Sequence, residues 1–134
     1  MQQRILLITG WGGGTQLLNP LKQALQQQGH QVELINIFNA FDEQILQQQV
    51  ELAKQFDVIL GWSLGGQLAT LLVDQIEQQY AQRKVLITLA SNPCFVANDE
   101  WQTAMAQATF QQFKQSFEQD AIATLKKFGY MVCQ

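Results

Sequence analysis

The sequence is poor in cysteine, in basic residues and in long apolar runs, and each shortage argues against a class of protein. Its 134 residues contain two cysteines, Cys94 and Cys133, which have no metal-ligand spacing and form no disulfide framework. Eight Lys and Arg against eleven Asp and Glu give a net charge of −3. A nucleic-acid partner is disfavoured because phosphate binding needs a basic surface. No stretch approaches the roughly 20 apolar residues of a membrane span.

The amino terminus also lacks the features of a secretory leader. Met1 to Arg4 carries a single positive charge, has no small-residue cleavage site and continues directly into an apolar run. Together with the scarcity of cysteine, this predicts a cytoplasmic setting. Apolar residues make up 47% of a chain of single-domain length, which is enough for a buried core. We expect a globular domain and predict neither a cofactor nor a metal.

Apolar runs alternate with amphipathic helical patterns over the first 90 residues. Strands are predicted at residues 5–9, 32–38, 58–62 and 85–90. The first helix should begin near Asn19 and Pro20 and stop at Gly29, and Asp42 should cap the second. A third helix is predicted over residues 64–80. Alternating strands and helices predict an α/β fold of about four parallel strands flanked by helices.

The last third of the chain changes character. Helical patterns run over residues 101–110 and through a set of apolar positions that follows, and a last strand is predicted at residues 130–133. The apolar positions are Phe113, Phe117, Ile122, Leu125 and Phe128. Aromatic residues at this spacing are more often core than cofactor contacts. Because little sheet remains for them to cover, some could line a pocket or a lid.

The motif Gly61-Trp62-Ser63-Leu64-Gly65-Gly66 joins the third predicted strand to the third helix. It fits the G-x-S-x-G nucleophile elbow, in which a serine sits on a sharp strand-to-helix turn. Glycines flank the serine because a side chain there would clash in so tight a turn. The pattern predicts Ser63 as a nucleophile at the carboxyl edge of the sheet. The alternative is that Ser63 merely caps a helix at a glycine-rich turn.

Acyl transfer also needs two backbone N–H donors for the tetrahedral oxyanion. Leu64, which follows the nucleophile, is the first candidate, and Trp11 in the glycine-rich loop after the first strand is the second. An alternative for that loop is a dinucleotide site. Gly10-x-Gly12-x-x-Thr15 lacks its third glycine, and Glu33 begins the second strand rather than ending it. The loop has no lysine, which excludes a P-loop.

Several motifs, taken in order, give the chain a family resemblance. Gly10-Trp11-Gly12, the elbow, residues 90–95 (Ala-Ser-Asn-Pro-Cys-Phe) and residues 99–101 (Asp-Glu-Trp) resemble those of the pimeloyl-acyl-carrier-protein methyl ester carboxylesterases of biotin synthesis. These enzymes are α/β-hydrolases. The elbow is common to that superfamily, whereas the tryptophan before the serine and the two later stretches point to this family. The resemblance covers almost the whole chain, most clearly residues 57–101.

The resemblance implies a serine carboxylesterase that hydrolyses the methyl ester of pimeloyl-acyl-carrier protein or related short acyl esters. Ser63 would be the nucleophile, the amides of Trp11 and Leu64 the oxyanion hole, and Trp11, Trp62 and Phe95 would contact substrate. Residues 1–98 would form an incomplete hydrolase core, and residues 99–134 a helical lid over an acyl pocket. Basic lid residues of the family meet the acidic carrier protein, and the comparable region here holds Lys114, Lys126 and Lys127.

The chain departs from the family in the acid and the histidine of the catalytic triad. In this superfamily the acid follows the serine in the chain, and the histidine follows the acid. The single histidine, His30, precedes Ser63 and should lie at the amino edge of the sheet. A strand of about six residues spans ~20 Å, so His30 cannot reach Ser63, and we expect it at the surface. Asp99 is an alternative acid, although the resemblance makes it a structural part of Asp-Glu-Trp.

These departures predict the amino-terminal part of a hydrolase, inactive or nearly so as an isolated chain. The fourth strand would then be an exposed sheet edge. Either the tail around residues 128–132 or a second copy of the chain would have to cover it, which predicts a rearranged lid or a homo-oligomer. A different functional class also stays open: a non-catalytic module that binds acyl groups or proteins and keeps the elbow without the triad.

Overall fold

The computed structural model describes residues 1–132, and its central feature is a four-stranded parallel sheet. The strands and helices alternate along the chain up to the fourth strand, and two helices follow it. They are β1 (Arg4–Ile8), α1 (Asn19–Gln27, after a 3-10 turn at Gln16–Leu18), β2 (Gln31–Ile35), α2 (Glu43–Ala53), β3 (Val58–Trp62), α3 (Leu64–Tyr80), β4 (Val85–Leu89), α4 (Gln107–Gln119) and α5 (Ala121–Val132). The predicted α/β class is confirmed.

The strand order β2-β1-β3-β4 places β1 at the centre of the sheet. Ile8 at the end of β1 is opposite Ile35 on one side and Gly61 on the other. Since all four strands are parallel, their carboxyl ends share one edge, where ligands of open α/β sheets bind. The apolar run of β1 is buried on both faces, as expected of a central parallel strand.

Each face of the sheet has its own apolar cluster. On one face, Leu6, Ile8 and Ile59 belong to a buried cluster with Val50 of α2 and Leu72 of α3. On the other face, alternate strand residues cluster with partly buried side chains of α1 and β2. The members of this second cluster are Ile5, Leu7, Val58 and Leu60, with Leu21, Leu25, Val32 and Leu34 against them. These two layers fix the strands whose ends carry the candidate site.

Local signals in the sequence correctly predicted how the first two helices begin and end. Pro20 lies in the first turn of α1, where its missing N–H costs no hydrogen bond. Gly29 ends that helix region with a φ of 94°, which favours glycine. The Asp42 carboxylate accepts hydrogen bonds from the N–H groups of Gln44 and Ile45 at 3.0 and 3.1 Å, so it caps α2.

Strand β4 lies at an edge of the sheet and is exposed along its whole length. Val85 is 56% exposed and Ile87 39%. The Val85 N–H bonds to Asp57 and the Leu89 carbonyl to Ser63, so odd-numbered residues pair with β3. The N–H and C=O groups of Leu86 and Thr88 therefore point away from β3. The exposed apolar edge predicted for this strand is confirmed.

Three predicted elements are wrong in their extent or type. The second strand ends at Ile35 and not at residue 38, because its partner β1 ends opposite it at Ile8. Residues 101–106 are not helical. There the Asn98 side chain accepts hydrogen bonds from Glu100 and Trp101, and a bridge joins Val96 to Met105, so this segment turns back on itself.

The strand predicted at residues 130–133 is also wrong. Residues 130–132 belong to α5, and Cys133 lies outside the described residues. These residues continue the helix that begins at Ala121 and do not pair with the sheet, which has four strands in the described part of the chain. Within the helix pair, the rings of Phe113 in α4 and Phe128 in α5 lie 6.2 Å apart.

The chain divides into two compact units, the first ending at Ser91 and the second beginning at Asn92. The first holds the sheet with α1 to α3, and the second holds the turn at residues 95–105 followed by α4 and α5. The division predicted after residue 98 and the lid role of residues 99–134 stay predictions. None of the helices within residues 1–132 is long and apolar enough to cross a membrane.

Candidate active site

Ser63 occupies a strained turn between the last residue of β3 and the first residue of α3. Its φ of 56° and ψ of −122° lie where side chains are rarely found. Its N–H donates to the Leu89 carbonyl at 2.9 Å, and its carbonyl accepts from the Gly66 N–H at 2.9 Å. The Ser63 side chain makes no capping hydrogen bond to α3. The Ser63 side chain therefore does not cap α3, and the strained strand-to-helix turn has the form expected of a nucleophile elbow, whose catalytic role stays a prediction.

The two glycines that flank Ser63 are required by close backbone contacts. A Cβ at Gly61 would collide with the Gly65 carbonyl and the Gly66 nitrogen. A Cβ at Gly65 would collide with the carbonyl oxygens of Ile8 and Thr9 at the end of β1. The start of α3 thus lies directly against the carboxyl end of the central strand.

The glycine-rich loop after β1 lies against the elbow. A Cβ at Gly10 would be 2.8 Å from Cε3 of Trp62 and 3.0 Å from Cβ of Ser63. A Cβ at Gly13 would be 3.1 Å from Cζ3 of Trp62. The loop and Ser63 are therefore neighbours at the same edge of the sheet, and the Trp62 ring packs against the loop.

One predicted oxyanion donor follows Ser63 directly in the chain, and the other lies in the glycine-rich loop whose Gly10 approaches Ser63. Leu64 is the first residue of the 17-residue helix α3, so its N–H has no acceptor within that helix. The positive end of the helix dipole also lies here, which favours a developing negative charge. Half-buried Trp11 lies between Gly10 and Gly12, whose φ is 76°. The roles of Leu64 and Trp11 in an oxyanion hole stay predictions.

The second compact unit carries the remaining predicted residues. Phe95 is half-buried, and its carbonyl accepts a hydrogen bond of 3.1 Å from the Met105 N–H. A cleft of about 760 Å³ lies between α4 and α5, with Phe113, Phe128, Lys126 and Lys127 among its lining residues. Substrate contact by Trp11, Trp62 or Phe95 stays a prediction.

The structure separates His30 from Ser63. The His30 Nδ1 atom accepts a hydrogen bond of 3.0 Å from the Gln3 N–H, next to the start of β1 and β2. Ser63 follows the end of β3, at the opposite edge of a parallel sheet. The amino-edge position predicted for His30 is confirmed, but the residue is half-buried and not a plain surface residue, because its ring caps this strand start. Asp99 is exposed.

The ionisable groups with shifted pKa values lie at the amino end of the sheet, away from Ser63. The Arg4 backbone N–H, which donates to Asp57 at 2.9 Å, lowers the pKa of the Asp57 carboxyl. The Tyr80 hydroxyl donates to Glu51, which lowers the pKa of Glu51 and raises the pKa of Tyr80. Among residues 1–132, no group of three His, Cys, Asp or Glu side chains could hold a metal ion.

Two residues beside the elbow have no role in the sequence prediction. The Ser91 hydroxyl donates to the Ser63 carbonyl at 2.8 Å. Thr9, which follows β1, is fully buried, and its hydroxyl has no hydrogen-bond partner within residues 1–132. In the sequence, Thr9 is the last residue of the first predicted strand. Ser91 follows the fourth predicted strand and belongs to the stretch at residues 90–95 that carries the family resemblance.

Comparisons with known proteins agree with the motifs. Residues 16–133 match the family described as Uncharacterised protein family UPF0227. The biotin biosynthesis bifunctional protein BioHC of Saccharophagus degradans is 30% identical over 96% of this chain and 25% of its own length. The pimeloyl-acyl-carrier protein methyl ester esterase of Aliivibrio salmonicida is 32% identical over 92% of this chain and 49% of its own length.

A third relative, the esterase of the same name from Nitrosospira multiformis, is 33% identical over 67% of this chain and 33% of its own length. The chain thus spans between a quarter and a half of these three relatives. Among solved structures, RedJ with a polyethylene glycol molecule in its active site superposes with a TM-score of 0.52 at 11% identity, covering 92% of this chain and 58% of RedJ. That likeness concerns the fold alone. The chain belongs to the UPF0227 family and resembles the pimeloyl-acyl-carrier protein methyl ester esterases in sequence.

Proposed function

We propose that this chain carries the nucleophile and oxyanion hole of a serine carboxylesterase that hydrolyses the methyl ester of pimeloyl-acyl-carrier protein in biotin synthesis. One observation carries the proposal: Ser63 holds a strained backbone conformation between β3 and α3, at the carboxyl edge of a parallel sheet. The esterase names of the relatives supply the substrate.

In this reaction the Ser63 hydroxyl oxygen attacks the ester carbonyl carbon and gives up its proton to a base. The oxyanion that forms accepts hydrogen bonds from the backbone N–H groups of Leu64 and Trp11. Cleavage of the ester C–O bond then releases methanol, which takes up the proton, and leaves an acyl-serine. Water hydrolyses that acyl-serine, which frees the carboxylate and restores the serine hydroxyl.

Among the described residues, no histidine lies near Ser63 to act as the base. His30 is the one histidine in the sequence, and it bonds to Gln3 at the amino edge. We therefore expect the 134-residue chain by itself to turn over slowly, at the level that an oxyanion hole alone supports. A second polypeptide that brings a histidine to the carboxyl edge would raise the rate.

The cleft between α4 and α5 supports the acyl-carrier part of the proposal. Its lining combines the rings of Phe113 and Phe128 with the side chains of Lys126 and Lys127. Apolar rings suit an acyl chain, and ammonium groups suit an acidic carrier protein. Lys114 lies on α4 in the same unit, although it is not among the residues that line the cleft.

A non-catalytic acyl- or protein-binding module is the second candidate, and the structural role of His30 favours it. Such a module would bind acyl chains without turnover. A dinucleotide-binding loop has less support, because Gly10 and Gly13 lie against the Trp62 ring rather than against open space. Dinucleotides should therefore give no heat in a calorimetric titration.

We also propose a cytoplasmic setting, because the free thiol of Cys94 suits a reducing compartment.

We further propose that the chain forms a homo-oligomer through β4. A second copy can pair antiparallel with β4 about a two-fold axis at Ile87, so that Leu86 exchanges backbone hydrogen bonds with Thr88 of the copy. Val85 then faces Leu89 of the copy. Val85, Ile87 and Leu89, which share one face of β4, then meet the same three residues of the copy. Strand β4 contains no charged residue that would oppose this pairing.

Intact-mass analysis after exposure to a fluorophosphonate probe tests the esterase proposal. The wild-type chain should gain one adduct slowly, and Ser63→Ala should gain none. A wild-type chain that is folded and never labelled would overturn the proposal that Ser63 is a competent nucleophile. Binding of a pimeloyl methyl ester with no adduct and no methanol release would favour the non-catalytic module instead.

A further inference from the structure

We infer that Ser91 is a positioning residue that fixes the direction of the Leu64 N–H, the donor next to the nucleophile. The inference rests on the function proposed for Ser63. It starts from the hydrogen bond of 2.8 Å that the Ser91 hydroxyl donates to the Ser63 carbonyl. The Ser63 carbonyl and the Leu64 N–H belong to one planar peptide unit and point in opposite directions. A group that holds the carbonyl therefore also aims the N–H.

Residues at and just after the end of β4 make hydrogen bonds to both backbone groups of Ser63, its N–H and its carbonyl. The Leu89 carbonyl accepts a hydrogen bond of 2.9 Å from the Ser63 N–H, and Ser91 bonds to the Ser63 carbonyl. Between these two contacts lies Ala90, whose φ of 48° is unusual for a residue with a side chain. Strain of this kind persists only where the surrounding contacts impose it. The two strained residues are thus linked: Ser63 is hydrogen-bonded to Leu89 and Ser91, the two chain neighbours of Ala90.

Gly66 gives Ser91 the space that this contact needs. A Cβ at Gly66 would collide with both Oγ and Cβ of Ser91. The elbow pattern requires glycine before and after the serine, at positions 61 and 65, but it does not require one at position 66. Approach of the Ser91 hydroxyl therefore provides a physical reason for the second glycine of the Gly65-Gly66 pair.

Loss of the Ser91 hydroxyl removes one of the hydrogen bonds that hold the Ser63 carbonyl, while the bond of 2.9 Å from the Gly66 N–H remains. The peptide unit between Ser63 and Leu64 can then rotate, which turns the Leu64 N–H away from the position of the oxyanion. The ground-state ester makes a weaker bond to this donor than the transition state does, so the chemical step slows more than binding weakens.

The test compares Ser91→Ala with Thr70→Val in the 134-residue chain. Thr70 is a matched control, since its hydroxyl donates 2.8 Å to the Gly66 carbonyl, one turn further along α3, without touching Ser63. The first readout is the NMR chemical shift of the Leu64 amide and of the Ser63 Cα and Cβ atoms. The second is the rate at which a fluorophosphonate labels Ser63.

Ser91→Ala should shift the Leu64 and Ser63 resonances and should slow labelling roughly tenfold, while Thr70→Val changes neither. Unchanged Leu64 and Ser63 resonances in a folded Ser91→Ala chain would overturn the inference. If Ser91→Ala does not fold, the resonances and the labelling rate are measured on Ser91→Cys instead. Cysteine is similar in size to serine, but its thiol is a weak hydrogen-bond donor, so the same changes are expected. If the wild-type chain is never labelled, the proposed esterase function fails, and the resonances still decide the role of Ser91.

Discussion

The Nδ1 atom of His30 accepts a hydrogen bond of 3.0 Å from the backbone N–H of Gln3. This bond ties the start of β2 to the start of β1, where Arg4 and Gln31 form the first residue pair of the sheet. Ser63 follows β3 at the other edge, so the one imidazole of the chain serves the fold and not the nucleophile. The position of His30 therefore agrees with the prediction that it is not the base for Ser63.

His30→Ala should therefore leave the rate of fluorophosphonate labelling of Ser63 unchanged. The substitution removes the acceptor of a partly buried N–H, so the free energy of unfolding should fall by about 1 kcal/mol. Urea unfolding and labelling kinetics measure the two effects separately. A folded His30→Ala chain that no longer reacts would show that His30 does act on Ser63.

Gly65→Ala should destabilise the chain strongly. Its Cβ would collide with the carbonyl oxygens of Ile8 and Thr9, which are backbone atoms at the carboxyl end of the central strand and cannot easily move aside. We expect a loss of at least about 2 kcal/mol in the free energy of unfolding, or no folded protein. Chemical unfolding followed by circular dichroism provides the measurement.

Gly129→Ala is the matched control for that substitution. Gly129 lies within α5, and a Cβ there would meet nothing within 4 Å. Alanine is the better helix former, so this change should stabilise the chain by about 0.5 kcal/mol or more. Equal effects of the two substitutions would mean that α3 does not lie against β1 as described.

Thr9→Val should raise the free energy of unfolding. The Thr9 side chain is fully buried, and its Oγ1 atom has no partner among the described residues. An unpaired buried hydroxyl costs about 1–3 kcal/mol, whereas valine has a similar shape and no polar atom. A gain of about 1 kcal/mol in urea unfolding is expected. A loss instead would indicate that the hydroxyl has a hydrogen-bond partner, such as a buried water.

The elements around the elbow could be predicted from the sequence because their signals are local. The bounds predicted for β3 and α3 agree with those of the structure, since glycine and serine interrupt the apolar pattern between them. The end of β2 could not be predicted in this way. Residues 36–38 continue its pattern, but β1 provides no partner beyond Ile8.

The strand-to-helix turn at Ser63 could be predicted to the same extent, but the contacts that support this turn could not. The Ser63 turn depends on neighbours within two or three residues in the sequence. The bond from Ser91 spans 28 residues, and the close approach of Gly10 to Ser63 depends on the pairing of β1 with β3. Such contacts follow from the register of strands, which a single sequence does not specify beyond its apolar pattern.

Acid should weaken the fold through Asp57. The Asp57 carboxylate accepts a hydrogen bond of 2.9 Å from the Arg4 N–H, which lowers the pKa of Asp57 in the folded chain. A lowered folded pKa adds stability that is fully present above the ordinary Asp pKa of about 4 and is lost as the pH falls through the folded value. Asp57→Asn should flatten the fall in unfolding free energy between about pH 5 and pH 2, compared with the wild type. An unchanged pH profile would contradict this role.

Strand β4 should cause the chain to self-associate in a concentration-dependent manner. Ile87 lies at the centre of this exposed apolar edge, and the outward backbone groups of Leu86 and Thr88 can pair with another strand. Ile87→Lys places a charge at the proposed two-fold axis, where it would face its own copy, and should shift the chain to a monomer in size-exclusion chromatography with light scattering. Ile122→Lys, at a 69% exposed position of α5, is the matched control and should leave association unchanged. A wild-type chain that stays monomeric at high concentration would rule out pairing through β4.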